Sequence, residues 1–258
     1  VVGLKIDRRT DVAGGGARFF QLVQGSRCAA QARSLLASTM TSLGLPRGLV
    51  EDGELAVSEL ATNAHQHADR ASPDHPIVAP ELWVWVRSCP VPQLVVSVFD
   101  ADRAGLPRIG SIGLLEEDGK GLGIVAAVSA AWGTHPSRCR LGNWLVVGKV
   151  TWFALPLPGP WPGTDQIIEP SVAAHGLVDA LAARGIDARC RSDDKGVSVV
   201  QAGGLNVWVH PTAFSWWDGG GRYVHHPLVD LQEVAEQVLR LHEEAELAAA
   251  RPYARQSP

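Results

Sequence analysis

The stretch Glu54-Leu-Ala-Val-Ser-Glu-Leu-Ala-Thr-Asn-Ala-His-Gln-His-Ala68 decides the fold of this chain. Gly53, Val57, Leu60, Ala61, Ala64 and Ala68 recur at helical spacing and form a narrow apolar stripe of small residues. Glu59, Thr62, Asn63 and Gln66 follow the i, i+3, i+4, i+7 pattern and form a second row on another face. The spacing therefore predicts a helix from about Gly48 to Ala68 whose carboxylate and carboxamide point the same way, one turn apart. Such a pair suits a hard divalent cation and the orientation of a hydroxyl or water. A solvated helix face offers the same pair, so the rest of the chain has to decide between the two readings.

Upstream, Arg18–Val23 reads as a strand, and Ser26 as the cap of a helix over Cys28–Ser42. Residues 1–16, ending in Gly14-Gly-Gly16, read as a loose tail. Downstream, Glu81–Arg87 is apolar on both faces, with Trp83 and Trp85 opposite Leu82, Val84 and Val86. That pattern fits a strand covered on both sides. In the next strand, Gln93–Asp100, period two puts Asp100 at the end of the row Leu94, Val96, Val98. Residues 101–118 read as a glycine- and proline-containing loop of lid length. Then Gly119-Lys-Gly-Leu-Gly123 opens an apolar helix read as Val125–Trp132, and glycine-rich backbone at a helix start presents N–H groups to phosphate. Arg138–Leu141 and Leu145–Leu155 complete the strands of this half.

Composition sets the bounds. The 258 residues are 46% hydrophobic and 19% charged, an ordinary globular balance. A net charge of −4 gives no global attraction to nucleic acid or anionic membrane. The four cysteines are far apart and form no Cys-x-x-Cys pair, and no apolar run approaches the ~20 residues of a membrane span. The reading is a cytoplasmic protein without direct nucleic-acid or membrane contact. His65 and His67 diverge by about 200° around a helix, so they do not share a metal unaided.

The alternating prolines of Leu155-Pro-Leu-Pro-Gly-Pro-Trp-Pro-Gly163 mark a semi-rigid linker. The domain plan is thus residues 17–157, a linker over 158–165, and a second unit over 166–248 able to fold separately. In that unit a helix over Ser171–Arg184 precedes strands near 188–192, 197–201, 205–209 and 214–217. A short segment Tyr223–His225 and a closing helix over Asp230–Leu247 follow. The pattern is α-β-β-β-(β)-α, and no acid, base and nucleophile cluster there. Trp216 and Trp217 are adjacent, so in a strand they face opposite sides.

Glu59-Leu-Ala-Thr-Asn63, Asp100 and Gly119-Lys-Gly-Leu-Gly123, in that order, resemble the histidine-kinase-like (GHKL) ATPase superfamily. Within it, the likeness is to the anti-sigma-factor serine kinases, over roughly residues 17–157. The resemblance implies an α+β fold: a two-layer α/β sandwich with a mixed sheet on one side and helices on the other, holding ATP and Mg²⁺ between them. It implies that Asn63 coordinates Mg²⁺, that Glu59 is the base on an attacking hydroxyl, and that Asp100 accepts the adenine amino hydrogen. Gly119, Lys120, Gly121, Leu122 and Gly123 would wrap the phosphates, and Thr151 would support the pocket. The family has a glycine two residues after its aspartate, where this chain has Asp102. The function implied is a regulator of transcription acting on a sigma factor or other transcription regulator and phosphorylating Ser/Thr on a small antagonist, with a homodimer as one assembly. The alternatives are a non-catalytic nucleotide-gated binding module, a GHKL ATPase or sensor-kinase fragment, and, furthest, a metal hydrolase.

Overall fold

The computed structural model describes residues 11, 12, 14–68, 78–103, 120–159, 161, 167–193 and 196–250. Most of the lid-length loop, including Gly119, lies outside these residues, as do much of the proline linker and the side chains of His67, Ala68 and Lys120.

The first unit runs β1 (Ala17–Gln21), α1 (Cys28–Ser42), α2 (Arg47–Ala68), β2 (Glu81–Arg87), β3 (Gln93–Asp100), α3 (Lys120–Val128), β4 (Ala131–Leu141) and β5 (Trp144–Pro156). Its sheet has the order β1-β2-β3-β5-β4. The mixed sheet that the resemblance implied is corrected here, because every adjacent pair is antiparallel. The connection from β3 through α3 leaves β4 running the same way as β3, and β5 slots between them in the opposite direction.

One face of this sheet carries Leu82, Val84, Val86, Leu94, Val96, Val98, Phe153 and Leu155. They pack against Ala32, Leu36 and Met40 of α1 and Val57, Leu60, Ala61 and Ala64 of α2. The small-residue stripe of α2 is what lets the helices lie close. A side chain at Gly53 would meet the Met40 sulfur at 2.8 Å. α1 starts without the expected Ser26 cap: its N-cap is Arg27, with no side-chain cap hydrogen bond.

The second unit comprises α4 (Pro170–Ala183), β6 (Ala188–Ser192), β7 (Ser198–Ala202), β8 (Leu205–Val209), β9 (Ala213–Trp217), β10 (Tyr223–Pro227) and α5 (Leu231–Ala250). Its strands form an antiparallel meander, β10-β9-β8-β7-β6, so Tyr223–Pro227 is a fifth strand paired with β9. Val200, Val207, Val209, Phe214 and Trp216 form a core with Ala174, Leu177 and Leu181 of α4 and Val234, Val238 and Leu239 of α5.

α5 has a second, acidic face, and it covers the outer side of the first sheet. Trp85 donates from Nε1 to Glu233 at 3.0 Å, and Arg87 pairs with the same carboxylate at 3.4 Å. Asp230 accepts from Ser88 N–H at 2.7 Å, from Ser88 Oγ at 2.6 Å and from Cys89 N–H at 3.2 Å. Arg184, stacked 4.1 Å over the Trp83 ring, pairs with Glu236 at 2.6 Å. Glu243, 0% exposed, pairs with both Arg103 and Arg138. The layers thus alternate helices, sheet, helices, sheet. Separate folding, expected from the linker alone, meets a buried charged interface whose partners lie more than a hundred residues apart. Gly14–Gly16 is likewise no loose tail: Gly15, at φ +84°, packs on the Val229 backbone so closely that any side chain there would collide.

Candidate functional site

α2 and α3 meet at the point the motif spacing singled out. A Cβ added to Gly121 would lie 2.5 Å from Glu59 Oε2, so the carboxylate rests against the first turn of α3. A side chain at this position would have to push the end of Glu59 aside. Helix α3 begins at Lys120, not after the glycines, so Gly121, Leu122 and Gly123 belong to its first turns and their N–H groups stand near its positive end. Among the described residues, no heavy atom lies near a Cβ added to Gly123. Asn63 lies one turn beyond Glu59 on α2 and is half-buried. Its helix is fixed locally by Thr62 Oγ1 donating to the Ser58 carbonyl at 2.8 Å and by Arg33 reaching Ser58 Oγ from α1.

The far end of the site is the last residue of β3. Asp100 is 5% exposed and lies on the helix-facing side, as the row Leu94, Val96, Val98 requires. Its register partner on β5 is Lys149, whose ammonium sits 2.8 Å from Asp100 Oδ2. Asp100 Oδ1 accepts from Asp102 N–H at 2.6 Å, and Lys149 also donates to the Asp102 carbonyl at 2.8 Å. Burial pushes the Asp100 carboxyl above its ordinary range, and the Lys149 contact acts in the opposite direction. Asp102, where the resemblance leads one to expect no side chain, thus joins the turn that orients Asp100.

Thr151 lies opposite Val98 on β5, and its hydroxyl is 3.3 Å from that of Thr134 on β4. Two polar residues here escaped the sequence reading. Thr134 falls outside the strands that the spacing predicts, and Lys149 lies within Leu145–Leu155 with no role that the spacing assigns. A lysine two residues before Thr151 in that strand was the available signal, since period two puts both on one face.

The arrangement is therefore a polar floor on the inner sheet face (Asp100, Lys149, Thr151, Thr134) below a helix pair carrying Glu59, Asn63 and the glycines. The donor set fits a nucleotide with Mg²⁺ at its phosphate end, to which α2 offers a carboxamide oxygen and the first turn of α3 its N–H groups. At the base end the fit is narrower, because an internal ammonium already engages one oxygen of Asp100. Cys28 and Cys139 add no chemistry: burial raises the Cys28 thiol and pushes Cys139 up to about 12.

Residues 26–145 match the family model of the histidine kinase-like ATPase domain. The match leaves the second sheet outside it. No curated protein matches the chain.

Proposed function

Taking residues 26–145 as a histidine kinase-like ATPase domain, we propose that the chain is an ATP-dependent regulator of the anti-sigma-factor type. In this reading it holds a sigma factor or other transcription regulator and phosphorylates a Ser/Thr hydroxyl on a small antagonist. The observation that carries this is the contact between Glu59 and Gly121, which joins a carboxylate base to the phosphate-binding helix start.

Asn63 would hold Mg²⁺, which neutralises charge on the phosphates when bound. The first-turn N–H groups of α3 position the phosphate chain. Glu59 would take the proton from the incoming hydroxyl, one turn before Asn63 on the same helix. Asp100 accepts from the base's exocyclic amino group. Residues 17–157, 158–165 and 166–248 are the proposed catalytic unit, linker and accessory unit.

The test is transfer of labelled phosphate from ATP to a candidate antagonist encoded beside the chain. A Ser/Thr product survives acid, whereas a phosphohistidine does not. Asn63→Ala is expected to abolish the Mg²⁺ dependence of nucleotide binding and with it the label. Acid-labile label on the chain itself would favour a sensor-kinase fragment. ATP-dependent partner binding with no label would favour the non-catalytic module.

A further inference from the structure

The outer face of the second sheet is assigned no role by the nucleotide site. Trp216 is 0% exposed in the core, and its neighbour Trp217 is 62% exposed on the opposite side. Trp217 pairs with Tyr223 across β9 and β10, with ring centroids 5.2 Å apart and planes tilted by 56°. Tyr223 is 52% exposed and Trp208, on β8, is 46% exposed. Tryptophan is usually among the most buried side chains, so two on one open face, beside a tyrosine, call for an explanation.

The register shows how they are arranged. One row crosses all five strands as Arg191, Val199, Trp208, Ser215 and His225. Ser215 is small and covered, with His210 Nε2 3.0 Å from its hydroxyl, so the row is low between Trp208 and His225. Two residues along, Arg189 pairs with Gln201 and Gln201 with Asn206, while Trp217 pairs with Tyr223. Trp217 lies diagonally from Trp208, about 7–8 Å away by strand geometry. Among the described residues of these five strands, those on the outer face include two arginines, a histidine and two side-chain amides, and no carboxylate. Arg189 does meet Asp187, at the entry to β6, at 3.5 Å, but both side chains are at least 80% exposed and such a pair is weak.

We propose that this face binds single-stranded nucleic acid. Aromatic side chains standing on an open antiparallel sheet, backed by helices, offer stacking surfaces to unpaired bases. Arginines at the β6 edge and amides between supply phosphate and base-edge contacts. The whole-chain charge of −4 speaks against a general polyanion binder. It says nothing of the outward strand positions, which carry arginines and no carboxylate. A protein partner would be served equally by the aromatics, but nothing in it requires outward strand positions without a carboxylate.

The test uses the full chain and fluorescein-labelled oligo-U, oligo-dT and a duplex of equal length, read by anisotropy at two salt concentrations. Both single strands are expected to bind saturably and the duplex poorly, with affinity falling as salt rises. A preference for oligo-U over oligo-dT would mean that the ribose hydroxyl is read. Trp217→Ala should weaken binding roughly 5- to 150-fold. Arg191→Ala should lower the log–log salt slope by about 0.7 if it meets one phosphate. Both side chains are exposed, so an unchanged melting curve accompanies these losses. No binding by either strand overturns the proposal, as does binding indifferent to Trp217→Ala. Retention of a protein antagonist through Trp217, with the oligonucleotides inert, overturns it too. The nucleotide site is untouched by either variant, so kinase activity and this surface fail separately.

Discussion

Glu59→Gln is expected to leave ATP bound and to slow phosphate transfer by roughly 10²- to 10⁴-fold, the usual worth of a general base. The substitution keeps side-chain length and shape, so the contact with Gly121 survives and α3 keeps its place. What is lost is the ability to take a proton from the attacking hydroxyl. Parallel measurement of nucleotide affinity and single-turnover transfer separates the two effects. Unchanged transfer would make Glu59 a positioning contact for α3, and the base would have to be sought elsewhere. Loss of ATP binding and transfer together would assign the residue to nucleotide affinity instead.

The second large effect concerns the joint between the two units. Glu243 is fully buried and answers two guanidinium groups, Arg103 and Arg138. Removing it leaves both cations without this partner in a largely buried interface, and breaking a buried pair in this way costs up to roughly 3–5 kcal/mol. Glu243→Ala should therefore lower the denaturant midpoint of the whole chain, and proteolysis near residues 156–165 should then release the second unit. Arg103 stands three residues after Asp100, so the same variant is expected to weaken nucleotide binding as well. An unfolding free energy within about 0.5 kcal/mol of wild type, the range of an ordinary surface substitution, would show that the interface holds little of the stability.

Much of this was legible in the chain because local patterns determined it. The helix from about Gly48 to Ala68 lies at Arg47–Ala68, and the strands Glu81–Arg87 and Gln93–Asp100 keep their predicted ends. Period two placed Asp100 on the helix-facing side. Other features depend on contacts no local pattern reports. The run Val125–Trp132 is apolar but for Ser129, and such a run does not tell helix from strand. The helix stops at Val128, where the Ser129 hydroxyl turns back to the Val125 carbonyl at 2.7 Å, and β4 already begins at Ala131. Lys149 meets Asp100 only because β5 inserts between β3 and β4, a matter of strand order. The acidic face of α5 reads as an ordinary solvated helix face until its partners, Trp85, Arg87, Arg138 and Arg184, are brought over it. Trp83 and Trp85 did signal a covered outer face, though not what covers it.

The central claim is that a nucleotide lies between the glycines of α3 and Asp100, and calorimetric titration of the full chain with ATP and Mg²⁺ tests it most directly. The account predicts saturable binding of ATP, weaker binding of GTP, and a loss of roughly 10- to 150-fold with Asp100→Asn, the worth of one buried hydrogen bond to a charged group. A folded chain that gives no heat with ATP, because Lys149 keeps Asp100 engaged, would contradict it.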